Sequence, residues 1–596
     1  MLIFFLFNCT FQKRLIKFVE FFCCYLTINK NIIMNLLNLI FKPIKHFIDR
    51  YLNNPIKVTL FFAIIFTLIF SIIFIRTLNV TEGNYVYPLD DTYIHLQIAK
   101  NYVTNFTWGM TAGEFCSSSS SPFYTLLLSA IIYLFGDSSY TPLIINLIFA
   151  IGIVFLIYFQ FKDNKYKLFI FYFALICPVF LHIQIWSGME HTMQLFALLL
   201  VIITLNNLKI NSFSETLNSN LISYSLSIAL FSLTRYESMF MFAGIVLYFI
   251  LNKKYKLSII TLFMGFTPII LFGLFSINNG GEFFPNSLLL KSNIQIQNGI
   301  LPYIINFLKR YVYTKNIPFL ILFYSMIFIF IKFIFDNVFS QNTNIKDKKI
   351  NVFLINFYTS LINSPFLFIS TITSICHISF ASFGWLFRYE AYLYLLIIFT
   401  ILTEFDKIVE NKIFIKRNQQ YLILILLGIF FTQSYRIYNS ISKVVYASRN
   451  IYEQQIQTTR FINKYYNKQN IIANDIGAIT YFNDIKLLDL AGLGSNTILK
   501  ERRQNSNFDN EIVKILEKDI YLKYNFAFIY ERWYPNSNLK SKWYKAGDWN
   551  ITDNTICGDD RVSIFVRNKQ DLNKMKIDLE DFKKYINKNV ITNVEE

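Results

Sequence analysis

Apolar residues in this chain run in long unbroken stretches rather than along one face of a repeating pattern. From Val58 to Ile75 there is no charged residue, and about 20 apolar residues at helical rise cross the hydrocarbon of a bilayer. Comparable runs predict spans near residues 58–77, 139–160, 168–183, 190–206, 221–234, 237–251, 257–276, 317–335, 352–376, 388–404 and 419–434. The run 121–136, "SPFYTLLLSAIIYLFG", is short for a span. Were it to cross, every later loop would change sides, so it reads as an interfacial or re-entrant helix within a first outer loop, 78–138. Beyond about residue 435 the pattern changes. Short β-branched or aromatic runs ("IIAND", "AFIY", "VSIFV") alternate with helical stretches such as "DNEIVKILEKDIYLKY", which is the pattern of a soluble α/β domain. The expected fold is an α-helical polytopic membrane protein of about 11 transmembrane helices over 58–434, followed by a C-terminal soluble α/β domain over 435–596.

Composition agrees with the pattern. Of 596 residues 54% are hydrophobic and only 16% charged, too few charges for the surface of a soluble protein of this length. The net charge of +18 would suit a nucleic-acid binder, but the Lys and Arg lie in short loops between spans rather than on one basic face. With residues 1–57 placed inside, the inner loops hold 14 Lys/Arg in 56 residues and the outer segments 6 in 103. That asymmetry is the one expected of a membrane protein whose basic loops stay cytoplasmic. It puts the C-terminal domain outside, in the periplasm of a bacterial inner membrane. Residues 1–33 lack the small-residue cleavage site of a secretory signal, and Met34 offers an alternative start. The seven Cys show no metal-ligand spacing. Cys116 and Cys557 fall in outer segments, as a disulfide or as two free thiols.

Polar residues gather at the outer ends of the spans: Asp90, Asp91 and His95 in the first loop, Glu190 and His191 in "WSGMEHT", Arg235 and Glu237 in "LTRYES", Asn286 and Lys291 in "FFPNSLLLKS", and Arg388 and Glu390 in "FRYEA". Ionisable groups at membrane depth are costly and mark cavities or substrate paths. Together they could perform glycosyl transfer: a carboxylate takes the proton of an attacking hydroxyl, and Arg or Lys holds a departing phosphate. Paired Asp residues also allow one to act as base while the other orients it or binds a divalent cation such as Mg or Mn. Each position has a plainer reading as well. Asp90 or Asp91 could cap the helix that begins "TYIHLQIAKNYV", and Arg235 and Arg388 could be interfacial side chains reaching toward water.

The stretch "LDDTYIHLQIAKNYVTNFTWGMTAGEFCSSSSSPFYTLLLSAI" resembles the first extracytoplasmic loop of GT-C-type glycosyltransferases, the polytopic enzymes that use polyprenyl-phosphate sugars, in particular those related to arabinofuranosyltransferases. The match lies in Asp90, Asp91, Tyr93, Ile94, Trp108, Gly109, Gly113, Glu114, Ser121 and Pro122. "SGMEHTMQLFALLL", "LTRYESMFMFAG", "FPNSLLLKS" and "FRYEAYLYLLI" follow in the family's order, and "ANDIGAITYFNDIKLLDLAGLGS" resembles the start of its soluble domain. The chain departs at Tyr236, where the family often has Pro, and in a small-residue run without Gly. The resemblance implies a helical bundle with an outward cavity and a lipid-linked donor. The sugar would pass to a glycan or lipid acceptor on the outer face, in assembly of the cell envelope. It further implies a first-loop Asp as general base, Asp90 ahead of Asp91. His95, Arg235, Lys291 and Arg388 would be substrate contacts, and Asp90 or Asp91 the ligand of any metal. A transporter or flippase for lipid-linked intermediates is the alternative, though no two-fold repeat of hydropathy favours it.

Overall fold

A computed structural model describes residues 42–208, 219–291, 317–339, 346–505, 508–537 and 539–595. It is mostly helical. Among the described residues five helices are long and apolar enough to cross a membrane: Pro55–Val80, Thr141–Phe161, Tyr255–Asn278, Ile317–Asp336 and the continuous Gln419–Tyr465. A sixth forms if the bent pair Leu354–Ile362 and Pro365–Phe380 counts as one. All eleven expected segments fall on helices, yet several are shorter than a span. His191–Asn207, Ser219–Thr234, Ser238–Leu251 and Ala391–Glu404 have 14 to 17 residues.

Two expected spans are interrupted, both at proline. The segment expected at 168–183 stops after Lys165–Ile176, just before Pro178, and resumes as the short helix Leu181–Trp186. The one expected at 352–376 bends by 94° immediately before Pro365. In each case the ring removes a backbone donor and disfavours helical conformation in the preceding residue. The first carboxylate bond of interest lies here too: Glu404, at the end of Ala391–Glu404, accepts from the N–H groups of Phe366 (2.6 Å) and Leu367 (3.0 Å) and so caps the restarted helix from another element. The short run 121–136 is the helix Pro122–Phe135, started by Pro122 and by the Ser121 side chain.

The C-terminal region carries a six-stranded mixed sheet of order β2-β1-β3-β5-β4-β6, where β1 is Asn470–Ala473, β2 Lys486–Asp489, β3 Phe526–Ile529, β4 Tyr544–Asn550, β5 Arg561–Val566 and β6 Ile591–Val594. Strand β1 runs parallel to β2 and β3, and the remaining pairs are antiparallel. The last membrane helix enters this region without a break. Gln419–Ile451 passes through one π turn, Tyr452–Ile456, into Gln457–Tyr465 and then β1.

The sheet and the first loop share one hydrophobic core. Ile94, Ile98, Trp108 and Met110 of the loop cluster with Phe461, Ile471, Ile476, Ile479, Leu487, Phe528 and Ile564. The helix Asp91–Asn105 buries almost every side chain of its first two turns, which a helix lying free on a membrane surface could not do. Helix and sheet therefore stabilise each other. Ile98→Ala is expected to lower stability by about 2–5 kcal/mol and to raise amide exchange in both Asp91–Asn105 and β1; loosening confined to the helix would show that the two do not share a core.

Candidate functional site

The helix Asp91–Asn105 starts with two carboxylates that point to different partners. Asp90 stands at its N-cap position but makes no side-chain bond to its own helix. Its Oδ2 instead accepts from the N–H of Gly477 at 2.6 Å and its Oδ1 from that of Ala478 at 2.8 Å, the first residues of the short helix Gly477–Tyr481 that follows β1. Gly477 is needed at this point because a Cβ would overlap the backbone oxygen of Asp90 and come within 2.9 Å of its Oδ2. Asp91 faces the membrane bundle, where its Oδ2 lies 2.6 Å from Nη2 of Arg388.

Burial raises the pKa of Asp90 to about 7, with Asp475 adding like-charge repulsion and the two backbone N–H groups opposing both. Asp475 is in turn bonded by Gln455 and by the Tyr530 hydroxyl. The Gln455 amide also donates to the Tyr530 oxygen at 3.1 Å, and that hydroxyl, whose single proton goes to Asp475, lies 2.6 Å from Gln454 Oε1. Gln454 and Gln455 both come from the π turn.

A second group of charges sits deeper. Glu190 is fully buried and accepts from Arg235 and, at 2.8 Å, from Ser120. His95 Nε2 lies 3.4 Å from Glu190, and its Nδ1 faces Thr125 at 2.9 Å. Arg235 also holds Glu237 through both Nε (3.0 Å) and Nη2 (2.7 Å) and meets His191 Nε2 at 3.1 Å. The Arg235 fork is thus engaged along its whole edge. The ring of Tyr389 joins the two groups, because the Arg235 and Arg388 guanidinium carbons lie 5.6 and 5.0 Å from its centre. Such arrangements favour a cation over an aromatic face.

Arg388 differs from Arg235 in what it leaves open. It is 2% exposed, yet its Nε and Nη1 find no hydrogen-bond partner among the described residues. Buried donors are nearly always satisfied. The backbone that delivers it is unusual: Gly384, Trp385, Leu386 and Phe387 all have positive φ, at 87°, 44°, 64° and 61°. L-residues in this region cost roughly 1–2 kcal/mol each, so neighbours must hold the turn. Glu390 accepts from the N–H of Gly384 at 2.8 Å and pairs with Arg436 at 3.1 Å, while Gln184 donates to the carbonyl of Phe387 at 3.0 Å.

The structure thus brings Asp91, His95, Arg235 and Arg388 into one network with Glu190, His191, Glu237 and Tyr389. Asp90 lies beside it at the junction with the sheet. Lys291 ends the helix Asn286–Lys291, and its side chain lies outside the described residues. Asn286 is committed elsewhere, donating to Asn496 at 3.0 Å and to Cys116 Sγ at 3.2 Å. Cys116 and Cys557 are both free thiols. Asp475, Gln455 and Tyr530 were not foreseen; only the Asp-Ile-Gly-Ala turn after a strand hinted at them. Nor did the sequence announce the left-handed turn, of which Gly384 alone is a visible sign.

The donor set does not suit a divalent cation. Both Asp90 oxygens accept backbone N–H groups, Asp91 faces a guanidinium, and among the described residues no group of three or more His, Cys, Asp or Glu could hold a metal ion.

Residues 449–565 match a family model described as "Domain of unknown function (DUF8728)". No curated protein matches the chain. Among solved structures the chain is similar to ArnT from Cupriavidus metallidurans bound to undecaprenyl phosphate, at 10% identity and a TM-score of 0.41, over 84% of this chain and 98% of that one.

Because the raised pKa of Asp90 means that the folded protein binds its proton more tightly than the unfolded chain, its contribution to stability falls as pH rises from about 4 to about 7. Asp90→Asn is expected to flatten that part of the profile of unfolding temperature against pH relative to wild type. Parallel profiles for the two proteins would remove the assignment.

Proposed function

We propose that the protein is a membrane glycosyltransferase that moves a sugar from a polyprenyl-phosphate donor to a glycan or lipid acceptor on the outer face of a bacterial inner membrane. The observation that carries this reading is Arg388: a buried guanidinium with two nitrogens unpartnered among the described residues, 2.6 Å from a carboxylate that is 25% exposed. Open guanidinium nitrogens can donate to phosphate oxygens, and the carboxylate held by Nη2 is placed for a proton. The order of the sequence motifs noted above points the same way.

In this mechanism the acceptor hydroxyl attacks the anomeric carbon of the donor. The bond from that carbon to the phosphate oxygen breaks as the new glycosidic bond forms, with inversion. Asp91 takes the hydroxyl proton, and polyprenyl phosphate leaves with the electron pair. The Arg388 guanidinium, through a nitrogen left open beside Asp91, stabilises the negative charge that grows on the phosphate oxygens. Donors fixed in a water-poor site stabilise that charge without having to reorganise. Arg235, saturated by Glu190 and Glu237, holds the floor under Tyr389 rather than the phosphate. Asp91 is preferred to Asp90 as base because both oxygens of Asp90 are engaged by backbone N–H groups. No step passes through a metal ion.

The test compares a deletion strain complemented with wild type, Asp91→Asn or Arg388→Lys by mass spectrometry of lipid-linked sugars and surface glycans. Asp91→Asn is expected to lower transfer on the order of 10²–10⁴-fold. Arg388→Lys, which keeps the charge but not the separate nitrogens that meet Asp91 and the phosphate, should lower it on the order of 10²–10³-fold. In both strains one polyprenyl-phosphate sugar should accumulate. A normal glycan profile in both would sink the reading and favour the flippase alternative.

A further inference from the structure

We infer that Gly477 of the C-terminal region is a positioning residue for the loop acid Asp91, acting through Asp90. This deepens the proposed transferase reading and rests on it for its kinetic part.

The argument begins with the sheet. Strands β2, β1 and β3 run parallel, and ligands of open α/β sheets settle outside the carboxyl ends of such strands. Here that edge meets the first loop. After β1, Gly477 and Ala478 donate to Asp90. Within β2, the Leu487 N–H donates to Thr111 at 3.1 Å, and after it Asn496 donates to the Phe115 carbonyl at 2.9 Å. After β3, Tyr530 reaches Asp475 beside Asp90.

Asp90 is the pivot of this contact. Its carboxylate belongs to the sheet side, while its backbone oxygen accepts the N–H groups of Tyr93 (2.9 Å) and Ile94 (3.3 Å) and so begins the helix Asp91–Asn105. The same oxygen rests against Gly477, leaving no room for a Cβ. The next residue is Asp91, whose carboxylate pairs with Arg388. One peptide unit therefore separates the grip of the sheet region from the acid at the anion site. A shift of Asp90 moves Asp91 with it. The Lys100 ammonium, donating to the Tyr481 carbonyl at 3.2 Å, and the packing of Tyr93 on Tyr481 and Phe482 tie down the following turns.

The test uses full-length protein in lipid nanodiscs, with the lipid that accumulates in the deletion strain as donor. Wild type, Gly477→Ala and Asp90→Asn are compared by steady-state transfer and by amide exchange. Gly477→Ala is expected to lower kcat at least tenfold, since a misplacement of about 1 Å can cost 10²-fold, while the donor KM stays within about twofold. Exchange should rise in Asp91–Asn105, and with it in β1 through the shared core, while β3 and β5 stay protected. Wild-type kcat in Gly477→Ala, or unchanged exchange in Asp91–Asn105, would overturn the inference. If Gly477→Ala also exposes the sheet, Asp90→Asn decides by the same two readouts, because it keeps the backbone spacing and offers one acceptor oxygen to two N–H groups. Should wild type transfer no polyprenyl-linked sugar, the transferase reading falls, and the exchange data alone decide whether Gly477 holds the loop.

Discussion

A guanidinium taken out of water must be met by counter-charge and hydrogen bonds inside the protein, or its burial costs several kcal/mol. Three buried arginines obey this constraint in three ways. Arg235 is enclosed by Glu190, Glu237 and His191. Arg436 pairs with Glu390 and lies 4.4 to 5.2 Å from the ring centres of Tyr394, Phe180 and Phe387. Arg388 has Asp91 and Tyr389 but keeps two nitrogens without a partner among the described residues. The first two fix the helices around the site, and the third gives the site its chemical character. The elements that carry these side chains are distant in sequence, so satisfying the arginines brings the first loop and three helix ends together.

Much of the architecture was legible because membrane helices announce themselves by composition. Val58–Ile75 could hardly be anything else, and "IIAND", "AFIY" and "VSIFV" landed on β1, β3 and β5, although the helix expected to end near 434 continues to Tyr465 before the sheet begins. Breaks were harder to see. Pro178 and Pro365 lie within apolar runs, and a hydropathy window averages over the residue that ends the helix. At the site, residue type and position at span ends were enough to collect Asp91, His95, Arg235 and Arg388. What each does was not readable, because it depends on which donors its neighbours have already taken. Arg235 and Arg388 look alike in sequence, and only the placement of Glu190 and Glu237 separates a guanidinium engaged at every nitrogen from one held through Nη2 alone. The partner of Asp90 lies 387 residues away, beyond any local pattern.

The matched family region, 449–565, begins within the last helix and ends in β5. It contains the π turn, Asp475, Gly477 and Tyr530, all of which lie at the junction with the first loop. A π turn adds a residue to the helical register and often marks a functional position. Here it brings Gln454 and Gln455 to Asp475 and Tyr530. The sheet region is therefore not an appendage, because the face of it that meets the loop is built by the same helix that leaves the membrane.

The left-handed turn at Gly384–Phe387 bears on how this molecule can vary. Such a turn has no stability of its own, so it exists only while Glu390, Arg436 and Gln184 are in place. A glycine at Trp385 or Leu386 would relax the backbone and could even make the folded chain more robust, yet it would also free Arg388 to wander. Gains in robustness and loss of aim are tied together at this turn, and a search for hardier variants would drift toward a protein that holds its shape and misses its target.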